Sequence, residues 1–394
     1  MSSRKFDLAV VGAGLVGSCA ALAMARKGMS VALLESQSVS AETDSENKPY
    51  DLRVSAISPR SQAILQDLDV WQELDSCRVC DYEQMHIWHQ HGSASVQFDA
   101  LHMARESLGA IVENNHLKSR LLSACRQQQG ISWFVPDHIE GLLENTQRGV
   151  SLKLASGKHI EAGLLVAADG RQSPTRQLAG MQIRSGKYAQ RALVANVTTE
   201  QSHQNTAWQR FLETGPLAFL PLANGQCSIV WSCDAALAQT LEACDEDDFC
   251  KALGEAFEFK LGKVCASSAR LGFDLGWHSC DTWLAQRVLL IGDAAHSVHP
   301  LAGQGLNLGF SDVEALAGNL EVKQGQFEHR QLRRYERARK SETWLASNSF
   351  SALKSFYGTG NPAIAALRDT GMRMLDNSSV LKRELMQRAI ENIT

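Results

Sequence analysis

Phe6-Asp7-Leu8-Ala9-Val10-Val11-Gly12-Ala13-Gly14-Leu15-Val16-Gly17 sets an apolar strand directly against a run of glycines. Ser18 to Arg26 continues as a helix opened by small residues, and a second strand, Ser30 to Leu34, ends on Glu35. This is the order of a βαβ unit. The glycines allow a tight turn and the close approach of a pyrophosphate, and the helix N-terminus supplies partial positive charge. An acid at the end of the second strand, about twenty residues on, suits the hydroxyls of a ribose. The glycine pattern alone would fit any glycine-rich turn. With strand, helix and acid in register it predicts a dinucleotide-binding sheet held by Gly12, Gly14, Gly17 and Glu35.

The far end of the chain fits the same ligand. Leu289-Leu290-Ile291-Gly292-Asp293 reads as an apolar strand ending on Gly-Asp. A loop punctuated by Pro300 and Gly303 follows, and an apolar-periodic helix resumes at Gly305-Leu306-Asn307. The Asp293 carboxylate can accept hydrogen bonds from the hydroxyls of a polyol chain. Unpaired amides near Gly305 to Asn307, with the helix dipole, favour negative charge developing on an electron-poor ring. Polyol, heterocycle and dinucleotide together describe FAD, so Gly292, Asp293, Pro300, Gly303, Gly305, Leu306 and Asn307 join the expected cofactor contacts. A third strand, Leu164 to Ala168, also ends on Asp-Gly, at Asp169-Gly170, with Ser173 and Arg176 beyond it. Alone this would pass for a β-turn with a surface ion pair.

The three elements, in this order and at these separations, resemble the class A flavin-dependent aromatic hydroxylases, whose Asp-Gly element is associated with both flavin and nicotinamide cofactor. Within that superfamily the chain is similar to the ubiquinone-biosynthesis hydroxylases. The resemblance is carried by Asp51-Leu52-Arg53-Val54-Ser55-Ala56-Ile57, Ile111-Val112-Glu113-Asn114-Asn115-His116-Leu117, Gly215-Pro216-Leu217-Ala218-Phe219-Leu220-Pro221-Leu222 and the Gly292-Asp293 segment. Arg334 to Lys340, Asn361-Pro362 and Leu367-Arg368-Asp369 look most like the branch that hydroxylates C5 of a polyprenylphenol. One departure is Phe273-Asp274-Leu275, where relatives read Phe-Pro-Leu. Another is the long acidic tract from Ser36 to Pro49, expected as a mobile loop.

The resemblance implies an FAD-dependent monooxygenase. NAD(P)H serves as reductant, O2 as co-substrate, and a flavin C4a-hydroperoxide passes hydroxyl to the ring of a polyprenylated phenol. It also implies flavin contacts at Arg53, Asn114 and Asp169. The residues themselves leave alternatives: a helix N-cap for Asn114 and a surface ion pair for Arg53. No catalytic base is named by the sequence. A flavin dehydrogenase or halogenase would use the same cofactor domain, although the Lys and the Trp-rich motif expected of a halogenase are not seen. A non-catalytic flavoprotein scaffold of a biosynthetic complex is the remaining alternative.

Composition agrees with an enzyme of this kind. At 394 residues the chain is long enough for two domains. Its net charge of −4 gives no reason to expect a nucleic-acid partner. Ten cysteines without a repeating framework, and an N-terminus that runs straight into a strand, predict a reducing, cytoplasmic compartment. No apolar run reaches the roughly eighteen residues of a membrane span, so contact with a membrane, or with a ubiquinone-biosynthesis complex, should be peripheral.

The expected architecture is α/β. A Rossmann-like FAD-binding domain is assembled from 1–80, 104–180 and 281–340. A mostly antiparallel substrate sheet comes from 81–103 and 181–280, and a helical C-terminal region spans 341–394, where Phe350, Leu353, Phe356 and Tyr357 share one face. Cys77 and Cys80 have redox spacing without its context, and no metal site is expected. His86, His89 and His91 read as polar surface, and His296 and His299 as loop anchors. Trp208, Phe211, Phe219 and Trp231 fit either a greasy pocket or a plain core.

Overall fold

The computed structural model describes residues 4–39, 48–297, 305–323, 326–357 and 362–391. Its centre is an eight-stranded sheet. Arg4–Val11 (β1), Val31–Leu34 (β2), Ile131–Phe134 (β8), His159–Ala167 (β11) and Val288–Leu290 (β19) run parallel in the order β8-β2-β1-β11-β19. The hairpin Ile139–Thr146 (β9) and Gly149–Leu154 (β10), and the short Leu284–Ala285 (β18), add antiparallel pairs. β1 is covered on both faces, which is why it reads as a continuous apolar run. Leu8 and Val10 pack with the helices Leu15–Arg26 (α1), Asn114–Gln127 (α3) and Gly305–Asn319 (α7); Ala9 and Val11 pack with β9, β10 and Trp283. α1 is buried from Gly17 to Ala25, and only small side chains such as Ala20, Ala21 and Ala23 allow so close a fit.

A second sheet has nine strands. His296–Ser297 (β20), Leu271–Cys280 (β17), Ile183–Thr199 (β12), Cys227–Asp234 (β15), Gly215–Pro221 (β14), Thr206–Leu212 (β13), Gln84–His89 (β5) and Ser95–Asp99 (β6) follow in that order, with Val264–Ser267 (β16) beside β12. Every pair is antiparallel except β13 with β5. The helices Ala235–Ala243 (α5) and Glu246–Ala256 (α6) cover one face, and Trp88, Phe219 and Trp231 are buried against them. Trp208 packs at the edge of that cluster, so these indoles and Phe219 are core and not pocket wall. Phe211 alternates with them along β13 and points to the opposite face.

A small sheet of Val54–Ile57 (β3), Gly109–Glu113 (β7) and Val79–Tyr82 (β4), with β7 central, bridges the two. Ile111 to Glu113, whose spacing also fits a helical run continuing to Leu122, is therefore strand; the helix begins at Asn114. The β-branched Ile111 and Val112 pair on both sides in that strand, and this pairing decides the matter. Asp274 sits within β17 opposite a register shift in β12 between Lys187 and Arg191, and forms an ion pair with Arg191 at 3.4 Å. At the departure Phe273-Asp274-Leu275 the irregularity is thus carried by the neighbouring strand. Residues 40–47 of the acidic tract lie outside the described residues.

The remaining helices are Pro59–Asp67 (α2), Pro174–Leu178 (α4), His329–Tyr357 (α8), Pro362–Asn377 (α9) and Ser379–Glu391 (α10). α9 seats Met372 against Ala94 and Val96, and α10 seats Met386 against Ala100 and Leu108. His89, expected at the surface, is buried because Asp369 of α9 reaches its Nε2 at 2.8 Å. The face formed by Phe350, Leu353, Phe356 and Tyr357 lies where side chains are outside the described residues. Among the described residues no helix is long and apolar enough to cross a membrane. An α/β fold with a discontinuous Rossmann-like domain, a mostly antiparallel second sheet and a helical C-terminal region is thus the architecture of the chain.

Candidate flavin site

β2, β1, β11 and β19 end at one level, and backbone bonds hold the loops that leave them together. The Gly12 N–H donates to Leu34 O at 2.8 Å, the Ala168 N–H to Val11 O at 2.8 Å and the Ile291 N–H to Ala167 O at 3.0 Å. The glycine loop, the Asp169-Gly170 loop and the Gly292-Asp293 loop therefore emerge side by side at the carboxyl edge of the sheet, where open parallel sheets take ligands.

Each glycine of the first loop has its own reason. Gly12 has φ +97°, and a Cβ there would lie 2.5 Å from Ala168 O. A Cβ on Gly17 would lie 1.9 Å from Gly12 O, so the helix could not approach the strand. At Gly14 a Cβ would meet nothing within 4 Å, which leaves an open cradle before the α1 N-terminus. Glu35 is held at this cradle. Its Oε2 accepts the Ala13 N–H at 2.9 Å and its Oε1 accepts the Gln37 N–H at 3.0 Å, and a carboxylate keeps acceptor capacity for ribose hydroxyls.

Asp293 projects into a crowded recess that water still reaches. Burial raises its carboxyl above the ordinary value, and the charges of His296, Arg171 and Arg53 pull it partly back. The Arg53 guanidinium lies 5.9 Å from the centre of the Phe273 ring, and its carbonyl accepts the Asn114 N–H at 3.0 Å. Asn114 is the first residue of α3, whose N-cap is Glu113; its Oδ1 accepts the Ser55 hydroxyl at 2.7 Å. Glu113 is a buried structural group, bonded to the Asp51 N–H and the Arg78 guanidinium, each at 2.6 Å.

Asp169 turns its carboxylate inward, accepting the Ser173 hydroxyl and the Thr175 N–H at the start of α4. Arg176 of that helix donates to Ala294 O at 2.8 Å and so fastens the Asp169-Gly170 loop to the Gly292-Asp293 loop. α7 begins at Gly305, which puts the amides of Gly305, Leu306 and Asn307 in its first turn, where N–H groups have no partner within the helix. The side chain of Asn307 is already engaged: Oδ1 accepts the Ser58 N–H at 2.9 Å and Nδ2 donates to Ala56 O at 2.8 Å. Only its backbone remains for a ligand. Pro300, Gly303 and His299 lie outside the described residues.

Sequence reasoning missed two groups. His278, 2% exposed, donates from Nε2 to Asp293 O at 2.8 Å, and its Nδ1 finds no partner among the described residues. Burial, with Arg176 and Arg171 beside it, pushes its pKa down to about 4. A neutral ring with an idle acceptor on the Asp293 backbone, with the carboxylates of Asp293 and Glu35, suits a ligand rich in hydroxyls. FAD fits this set of donors and acceptors. The second is Asp312, which bonds to Arg339 and to His296, the residue read from the sequence as a loop anchor. No local pattern marked either group, although Arg339 stands in the stretch that carried the family resemblance.

The second sheet turns its other face away from α5 and α6. Strand register puts Ala218, Val230 and Val194 in one row across it, with Phe273 beside Ala192. Ser228, Ser232 and Asn196 share that face, and the Arg53 guanidinium stands over Phe273.

Comparison with known proteins agrees with this geometry. A family model described as FAD binding domain matches residues 5–348. The chain is 30% identical to the 3-demethoxyubiquinol 3-hydroxylase of Escherichia coli over 99% of its own length and 100% of that protein. It is 32% identical to a ubiquinone hydroxylase of Rhodospirillum rubrum, over 98% and 89% of the two chains. The p-nitrophenol 4-monooxygenase of Pseudomonas putida superposes with a TM-score of 0.78 at 20% identity, covering 100% of this chain and 98% of that one, and shares its fold. The three loops at the carboxyl edge of the parallel sheet and these relatives together place the chain in the family of FAD-dependent aromatic hydroxylases of ubiquinone biosynthesis.

Proposed function

We propose that this protein uses NAD(P)H and O2 to hydroxylate the aromatic ring of a polyprenylated phenol on the way to ubiquinone. The observation that carries the reading is Arg53, whose charge acts on the Asp293 carboxyl while its guanidinium stands over Phe273, on the sheet face that also carries Ala218 and Val230. Such a face accepts a prenylated ring and keeps water from the reacting atoms. Bound flavin supplies the chemistry that side chains lack, taking hydride from the reduced nicotinamide and delivering one oxygen atom of O2 to the ring. The chain orients it with Asp293, Glu35 and the α7 amides. Asp169 sets the helix start from which Arg176 braces the Asp293 loop, and Arg53 stands where a phenolate would form. Name-level similarity to a 3-demethoxyubiquinol 3-hydroxylase favours, as a second reading, a methoxylated benzoquinol over the C5 position of a simple polyprenylphenol.

Exposed apolar side chains on α10 support peripheral contact with the inner face of the membrane where such lipids reside: Val380 is 75%, Leu381 51% and Leu385 47% exposed. The test of function is oxidation of NADH and of NADPH by the purified holoprotein, with 18O2 and short-chain analogues of both rings. Substrate-dependent consumption with one labelled oxygen in the product is expected. Reductant consumption without oxygen transfer to either ring would point to a flavin dehydrogenase, and no consumption at all to a scaffold.

A further inference from the structure

Asp312 lies on α7, beyond its first turn, and is fully buried. Its Oδ2 accepts the Gly292 N–H at 2.8 Å and the His296 Nε2–H at 2.7 Å. Its Oδ1 accepts the Arg339 Nε–H at 2.7 Å from α8. Arg339, itself buried, reaches on to Leu308 O at 3.3 Å and pairs with Glu342. The His296 ring stacks on Trp283 with 4.9 Å between centroids. Burial works to raise the Asp312 carboxyl, but the charges of His296 and Arg339 outweigh it and hold it below the ordinary value. The group is therefore an anion, and His296 must be the donor in their bond.

Packing a helix on a sheet does not need a buried charge, since apolar side chains of similar volume serve as well or better. The position of this one is specific. Gly292 directly precedes Asp293 in sequence, and His296 closes the same loop, so one carboxylate pins the loop on both sides of Asp293. The same carboxylate belongs to α7, whose first amides are the expected partners of the flavin ring. We propose that Asp312, with Arg339 and His296, is the positioning residue of the flavin site. It sets the spacing between the Asp293 carboxylate and the amides of Gly305 to Asn307, so that both meet one ligand at once. A misplacement there weakens reduced flavin more than oxidised flavin, because preorganised amides act on charge.

The test uses Arg339→Lys, which keeps the charge but loses the Nε–H geometry, and His296→Phe, which keeps a ring for Trp283 but loses the donor. Apoprotein melting temperature, FAD dissociation constant by fluorescence titration and midpoint potential of the bound flavin are measured for each. The dissociation constant should rise about ten-fold, or ~1.4 kcal/mol. The potential should fall, by about 30 mV for each ten-fold preferential loss of the reduced form. Asp312→Asn should do more in the same direction. A lowered apoprotein melting temperature with wild-type affinity and potential would mean a purely structural role and overturn the proposal. Hydrogen exchange of the wild type decides the matter should the variants not fold. The Gly292 amide should be protected with and without FAD, and free exchange in the apoprotein would equally overturn it.

Discussion

Burial keeps the His278 ring neutral, with its pKa at about 4 against 6.5 in an ordinary setting. Between those values an unfolded chain binds a proton that the native ring refuses, so stability rises with pH across the window and is lost on acidification through it. The slope is about 1.4 kcal/mol per pH unit for one such group. His278→Gln, which retains a donor for Asp293 O, should flatten that acid limb, as read from urea midpoints at about pH 5 and about pH 7.5. An unchanged limb would assign it to other groups. Asp293 has the opposite bias. Its raised pKa means that the ionised form is disfavoured in the native protein without ligand, so the charge serves binding and not folding. Asp293→Asn should leave the apoprotein melting temperature at or above wild type. It should weaken FAD about ten-fold, because charge-assisted bonds to hydroxyls are roughly twice as strong as neutral ones. Full flavin retention in that variant would remove Asp293 from the site.

The glycine loop between β1 and α1 separates folding from binding within one element. Gly17→Ala would drive a Cβ to 1.9 Å from Gly12 O, where backbone meets backbone and neither can yield. A loss of at least ~2 kcal/mol in urea unfolding is expected. Gly14→Ala meets nothing within 4 Å, so the apoprotein should unfold as wild type does. Its methyl group would instead stand where the pyrophosphate approaches, and the FAD dissociation constant should rise about ten-fold or more. Equal affinity in Gly14→Ala would mean that the phosphates lie elsewhere. This loop was legible in sequence because strand, turn and helix are contiguous. α3 was not, since Ile111 to Glu113 fits a helical period as well as a strand and only pairing with β3 and β4 separates the two.

Across the whole molecule, α9 and α10 close over β6 and the segment that follows it, through Met372, Met386 and the bond from His89 to Asp369. Removing everything after about residue 345 would strip His89 of its partner, and a fall in stability would hide any effect on substrate delivery. A gentler change is Val380→Ser, Leu381→Ser and Leu385→Ser together. These side chains are largely exposed, so the fold and flavin content should remain. Cosedimentation with vesicles of inner-membrane lipid should fall, and so should turnover of a long-chain substrate, while turnover of a soluble short-chain analogue should not. Unchanged cosedimentation would exclude this face as the point of contact.

What the sequence determined by itself is local and covalently spaced: apolar strands that end on Gly12, on Asp169-Gly170 and on Gly292-Asp293. Parallel pairing of such strands brings their loops to one edge whatever else the chain does, and so the dinucleotide sheet and FAD followed from residue order. Tertiary structure decided the partners of buried polar groups. His89 meets Asp369 across 280 positions, Asn307 meets Ser58 across 249, and Asp312 meets Arg339 across 27. It also decided which face of the second sheet became core, turning Phe219 and Trp231 toward α5 and α6 and leaving the opposite row for the site. The physical reason is that a desolvated polar group must be satisfied by whatever packing brings within about 3 Å, and that neighbour is set by the meeting of distant segments, not by spacing along the chain.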